Sequence, residues 1–119
     1  MTSPPLVFEE LTDAEYHRRA GAVLAAVEAT TDRLLQEDVI DVDANRTGGL
    51  LELAFPNGSK IVVNTQPPLH ELWLAAQSGG HHFRAVGGRW IEGREGREFF
   101  ELLSQCATLQ GGRPIRFEP

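Results

Sequence analysis

Asn64-Thr-Gln-Pro-Pro-Leu-His-Glu-Leu-Trp-Leu-Ala-Ala-Gln-Ser-Gly-Gly-His-His-Phe83 is the stretch that decides the fold. Pro67 and Pro68 lack the amide an inner strand needs and stand against a helix start, so a strand is expected from about Leu69. Alternation along it places Leu72, Leu74 and Ala76 on one face and Glu71, Trp73 and Ala75 on the other. Gly79-Gly80 permits the positive φ of a hairpin turn, and His81–Ala85 would return antiparallel. Trp73 thus shares its face with a carboxylate and stands apart from the leucines. A large aromatic presented in this way suits a binding anchor, although most tryptophans are buried structural residues.

Working outward, short turns recur between alternating runs. Asn57-Gly58 carries the type I′ signal between Leu50–Phe55 (Leu51, Leu53 and Phe55 inward) and Ser59–Asn64 (Ile61 and Val63 inward). Gly48-Gly49 precedes them, and Val39–Asp43 reads as a strand with Ile40 and Val42 inward and Asp41 and Asp43 outward. Downstream, Gly87-Gly88 turns the chain into Arg89–Ile91. Successive strands joined by tight turns form an antiparallel sheet of about six strands. A helix flanks it on either side. Thr12-Asp13-Ala14-Glu15 has capping-box form, and Tyr16, Ala20, Val23, Val27 and Leu34 recur at helical spacing, which predicts a helix over 13–36. Phe99, Leu102, Leu103, Cys106 and Leu109 mark a second over 97–110, stopped by Gly111-Gly112. The predicted fold is α+β, a two-layer sandwich with both helices on one sheet face and Trp73 on the other. Residues 1–10 read as a flexible lead-in and 11–119 as one domain.

The chain has 119 residues, 41% of them hydrophobic, and a net charge of −6. Residues 1–55 hold eleven acids and four bases, a balance of −7, whereas residues 56–119 stand at +1. The acidic half would repel nucleic acid and anionic membranes and attract cations or basic protein surfaces. No apolar run reaches membrane-spanning length, and the N-terminus lacks a basic targeting region, so a cytoplasmic location is expected. Cys106, the single cysteine, falls on an apolar helix stripe as a buried, inert thiol.

Two constellations carry chemistry. Glu28 and Asp32 are i,i+4 neighbours on the first helix, followed by Glu37, Asp38, Asp41 and Asp43. Like charges at that spacing, and acids at a helix C-terminus, work against stability, which favours a cation-collecting ridge over a merely solvated face. His17 shares this helix stripe but lies about 16 Å from Glu28 along the axis, so the ridge is a string of weak sites and not a closed cage. The second constellation surrounds Trp73. Asn64 and Gln66 are turn formers or partner contacts, and His70 either fixes the Pro68-Leu69 entry or contributes to binding. His81 and His82 point to opposite faces and cannot share an ion. No phosphate loop, nucleophile elbow or HExxH pattern is present.

Asn64, Gln66, Pro68, Leu69, His70, Trp73, Leu74, Ala75, Gly79, Gly80, His82 and Phe83 fill a pattern that resembles the signature of the frataxin family, in particular its bacterial branch. Glu15-Tyr16-His17-Arg18, Asn57-Gly58-Ser59-Lys60-Ile61 and the closing Phe-x-x-Leu-Leu helix extend the resemblance over roughly residues 13–117. The resemblance implies weak surface binding of iron (Fe2+/Fe3+) at His17, Glu28, Asp32, Glu37, Asp38, Asp41 and Asp43. It also implies a role in iron–sulfur cluster assembly, as iron donor or iron-dependent regulator. The implied partners are a cysteine desulfurase and an iron–sulfur scaffold protein, met through Trp73, Asn64, Gln66, His70 and Glu71. A monomer is expected when iron is absent. Where relatives often carry further acids this chain has Ala29, Arg33, Leu35 and Val39, which lowers the expected iron capacity. Two other functions fit the same residues, a ferroxidase-like iron-oxidising enzyme and a metal-independent interaction module.

Overall fold

The computed structural model describes residues 7–119. Helix α1 spans Asp13–Gln36, the expected limits. Thr12 caps it by accepting the Glu15 amide at 3.1 Å, while the Glu15 carboxylate takes the Thr12 hydroxyl at 3.0 Å and not the backbone amide the capping box predicts. At the other end Val39 N–H reaches Leu34 O and Asp38 N–H reaches Leu35 O, a Schellman arrangement with Asp38 in the left-handed position (φ 56°) usually held by glycine.

Six strands follow: β1 Asp43–Thr47, β2 Leu50–Ala54, β3 Lys60–Gln66, β4 Glu71–Ala76, β5 Gly79–Val86 and β6 Arg89–Glu92. They pair antiparallel in sequence order, and α2 (Phe99–Gly111) closes the chain. The inward residues of the sheet, among them Leu51, Leu53, Ile61, Val63, Leu72, Leu74, Phe83 and Trp90, form one buried cluster with Tyr16, Leu24 and Val27 of α1 and Phe99, Leu103 and Cys106 of α2. Both helices therefore roof the same face.

Several boundaries differ from the sequence reading, each for a local reason. Residues 39–42 are not strand; β1 starts at Asp43, although Ile40 and Val42 are buried and Asp41 and Asp43 exposed. The Asn57-Gly58 turn is not type I′, because Asn57 keeps a negative φ. Gly58 alone is left-handed (φ 86°) and donates to Phe55 O, closing a three-residue Pro56-Asn57-Gly58 loop. Pro56, with its fixed φ, suits the first corner of such a turn. The two positive φ values of a type I′ turn occur at Gly87 and Gly88 instead.

Pro67–Leu69 is a short 3-10 turn, so β4 begins at Glu71 and not at Leu69; prolines fit the first positions of a helical turn, where no amide is needed. Gly79 and Gly80 belong to β5, and the β4–β5 corner is Gln77-Ser78, since Ala76 pairs with Gly79. Helix α2 starts two residues late, at Phe99, because the Glu98 side chain caps it by accepting from Phe100 and Glu101 N–H. Leu109 departs most from expectation: it is 76% exposed, and Gln110 is buried in its place.

Residues 1–6 of the expected lead-in lie outside the described residues. Glu9 donates its amide to Ala85 O at 2.8 Å, its carboxylate pairs with Arg19 at 3.2 Å, and Phe8 packs under the Arg84 guanidinium. The segment before α1 is thus tied to β5.

Candidate functional site

The sheet face opposite the helices carries one ordered aromatic patch. Cross-strand register places Asn64, Trp73 and His82 in a row over β3, β4 and β5. Asn64 and Gln66 are half-buried there, and Gln66 pairs with Glu71 one rung along. Trp73 is half-buried too, because it lies flat on His82 with ring centroids 4.1 Å apart and planes 4° apart. Its Nε1–H donates to Glu71 Oε1 at 2.8 Å, and the same oxygen stands 3.9 Å from His82 Nδ1. The indole is thus held by His82 against one ring face and by Glu71 at its N–H edge, and it remains partly exposed.

His82 was not among the site residues read from the sequence. The signal lay in the turn: a corner at Gly79-Gly80 would put Val86 opposite Trp73, whereas the Gln77-Ser78 corner puts His82 there. His81, on the other face, bonds through Nδ1 to the buried Glu92 carboxylate, whose second oxygen lies 3.6 Å from Arg97 Nε.

The patch is anchored from within. Tyr16, fully buried, donates its hydroxyl to Glu71 O at 2.6 Å and accepts from Gln66 N–H at 3.0 Å. Those bonds close the open end of the β3–β4 ladder, where the 3-10 turn interrupts strand pairing. Burial, foremost, pushes the Tyr16 pKa up. His70 adopts a left-handed φ of 51°, costly for a residue with a Cβ, and is fixed there by stacking on Tyr16 (4.8 Å, 12°) and by a 2.7 Å contact from Nε2 to Asp13 Oδ1. Its ring therefore serves the join between α1 and the sheet. Beside Glu71 and His82 opens a bowl of about 670 Å³, lined also by Phe8, Arg84 and Arg94.

The acids of the first constellation occupy α1, the segment after it and the start of β1, but do not converge. Glu28 is paired with Arg46 of β1 at 2.9 Å, and Glu37 with Arg33 at 3.5 Å. Asp32, Asp38, Asp41 and Asp43 are exposed, with no cation within 4.0 Å among the described residues. His17 is exposed and edge-on to Tyr16. Among the described residues no three His, Cys, Asp or Glu side chains are grouped to hold one ion. Such a surface offers single carboxylates to a hydrated cation. No helix among the described residues is long and apolar enough to cross a membrane.

Comparison with known proteins places these features in context. The model of the frataxin-like domain matches residues 9–113. The chain is 48% identical over 107 residues to the iron-sulfur cluster assembly protein CyaY of Variovorax paradoxus, covering 90% of this chain and 97% of that one. It is 49% identical over 109 residues to the protein of the same name from Paraburkholderia phymatum, covering 92% and 100%. Among solved structures, frataxin from Psychromonas ingrahamii superposes with a TM-score of 0.80 at 34% identity, covering 92% of this chain and all of that one. Trimeric yeast frataxin, complexed with ferrous iron, superposes with a TM-score of 0.69 at 25% identity, over 91% and 94% of the two chains.

Proposed function

The chain belongs to the frataxin-like family, and from that premise we propose that it acts in iron–sulfur cluster assembly as an iron-binding regulator or donor. Iron is cargo here. It binds weakly, through the exposed carboxylates of Asp32, Asp38, Asp41 and Asp43, with His17 as an outlying ligand and Glu28 and Glu37 engaged only when their arginines let go. The opposite patch of Trp73, Asn64, Gln66 and Glu71, to which the register adds His82, meets the assembly of cysteine desulfurase and scaffold. His70 contributes from behind. The relatives' shared name supports the role in cluster assembly, and the ferrous complex of yeast frataxin supports iron as the ion.

One observation carries the partner surface: Trp73 is fixed on the unroofed sheet face by Glu71 and His82. A large aromatic kept out of the core and ordered before binding is what an interface anchor requires. The decisive measurement is capture of this chain by a desulfurase and scaffold, with and without Fe(II). Trp73→Ala should weaken capture strongly while leaving it measurable, and Asp32→Lys with Asp41→Lys should weaken iron binding and alter how iron and desulfurase affect each other. If the double variant leaves both affinities unchanged, the ridge is a bystander.

The pairing of Glu28 and Glu37 with arginines favours a second reading, an interaction module without a metal role. Loss of capture in Trp73→Ala, with no influence of iron on the wild type, would select it. A ferroxidase-like enzyme needs close ligands around one ion, which this ridge does not assemble. Saturable Fe(II)-dependent oxygen uptake abolished by one substitution would restore that reading.

A further inference from the structure

Tyr16 lies in the first turn of α1, under the sheet, yet its hydroxyl ends a chain of contacts that emerges on the far side. The hydroxyl joins Gln66 N–H to Glu71 C=O, the two backbone groups that flank the 3-10 turn. Glu71, whose backbone is so fixed, turns its carboxylate to the Trp73 indole N–H. The indole in turn lies on His82. Behind Tyr16, His70 stacks on the phenol and meets Asp13, so the ring has no freedom to swing.

We propose that Tyr16 is a positioning residue for the partner surface: it sets the Glu71 carboxylate, and through it the orientation of Trp73, without touching the partner. Removing the hydroxyl leaves Gln66 N–H and Glu71 C=O unpaired in a half-buried place, and the end of the β3–β4 ladder frays to recover water. Glu71 then loses its fixed origin. The indole retains the His82 stack but not the hydrogen bond that sets its rotation about that stack. Ordering it again becomes a cost of binding.

This inference rests on the reading of Trp73 as a partner contact, so its test separates the two. Affinity for the desulfurase–scaffold assembly is measured for Tyr16→Phe, Glu71→Ala, Trp73→Ala and the Tyr16→Phe/Trp73→Ala double variant. The Trp73 Nε1–H resonance is followed in parallel, distinguished from that of Trp90 with Trp73→Phe. Folded Tyr16→Phe should bind about tenfold more weakly, the scale of one hydrogen bond to a charged group. It should cost nothing further in the Trp73→Ala background, and it should move the indole resonance. In Glu71→Ala, which also removes a partner contact, only the indole resonance counts: it should move as in Tyr16→Phe, and should Tyr16→Phe fail to fold, an unmoved resonance here overturns the link to the indole. Wild-type affinity and an unmoved resonance in Tyr16→Phe would overturn the positioning role while leaving the partner reading intact. Full binding by Trp73→Ala would defeat the partner reading instead, and the resonance alone would then uphold or overturn the link from Tyr16 to the indole.

Discussion

Arg46 of β1 reaches across to α1 and places its Nη1 2.9 Å from Glu28 Oε1. Glu28 is the acid closest in sequence to Asp32 on the same helix stripe, so the guanidinium cancels one charge of the ridge where a cation would otherwise feel both. The pair is about one-third exposed, and surface pairs of this kind contribute at most about 1 kcal/mol to stability. Arg46→Ala should therefore leave the fold nearly as stable while strengthening Fe(II) binding roughly two- to fivefold at low salt, an effect that fades as ionic strength rises. Titration of both proteins at two salt concentrations checks this. Equal affinities would mean that iron does not sense Glu28.

Under the proposed iron role, Asp38 sets stability against ligand supply. Its left-handed φ suits glycine, and its charge faces the negative end of the α1 dipole. Asp38→Gly should raise stability by roughly 0.5–1 kcal/mol, the usual gain at such a cap. The same change should lower iron affinity by removing one of the ridge's four exposed aspartates, Asp32, Asp38, Asp41 and Asp43. Urea unfolding and iron titration on one preparation would show opposite signs. A loss of stability would contradict the Schellman geometry.

Glu9 ties the segment before α1 to the β5–β6 corner. Its carboxylate accepts from Gly88 N–H at 3.0 Å and pairs with Arg19, and these contacts, the Gly88 amide foremost, hold its pKa below the ordinary 4.5. A carboxylate with a lowered pKa in the folded state stabilises that state above its ordinary pKa. The contribution is lost as pH falls through the lowered value. Protection of the Glu9 and Gly88 amides against hydrogen exchange should decline as pH falls below the ordinary 4.5, ahead of the core strands. In Glu9→Gln, protection should already be lower at pH 7 and should not change over that range. A wild-type decline simultaneous with global unfolding would show that the tie is not an independent unit.

What could be read in advance, and what could not, follows from how local each signal is. The limits of α1 depend on Thr12 and on the acids after Gln36, all within one turn of the ends, and they match residue for residue. Inward and outward faces follow from alternation alone, so Leu72 and Leu74 fall inside and Trp73 outside. Turn positions were less secure because two adjacent glycines look alike whether they form a corner or follow one. At Gly87-Gly88 they form it, whereas at Gly79-Gly80 the corner is Gln77-Ser78. That two-residue slip hides His82 from the Trp73 patch. The double role of Tyr16, and the turning of His70 toward Asp13, join residues 50 to 57 positions apart. Periodicity carries no information at that range.

Gln110 and Leu109 offer the sharpest test of the packing. At about 100° per residue, Gln110 falls roughly 20° from Phe99, near the middle of the buried arc, and Leu109 about 80° away on the opposite side. Hydrophobicity suggested the reverse assignment; geometry and hydrogen bonding decide it. The Gln110 side chain donates to Ser59 Oγ and Lys60 O, each at 3.1 Å, and accepts from Gln77 N–H at 3.0 Å. The main-chain carbonyl of Gln110 receives the Asn57 side-chain amide at 2.6 Å. One buried amide thus ties α2 to both the β2–β3 loop and the β4–β5 corner. Gln110→Leu, close in volume, would leave the Gln77 N–H and the Lys60 carbonyl without their partner and should destabilise by roughly 2–4 kcal/mol. Leu109→Gln, at a site 76% exposed, should change stability by less than about 0.5 kcal/mol. Chemical denaturation of the two variants settles the comparison. Greater loss from Leu109→Gln would mean that α2 is rotated from the orientation described, and that its buried face is the one hydrophobicity alone selects.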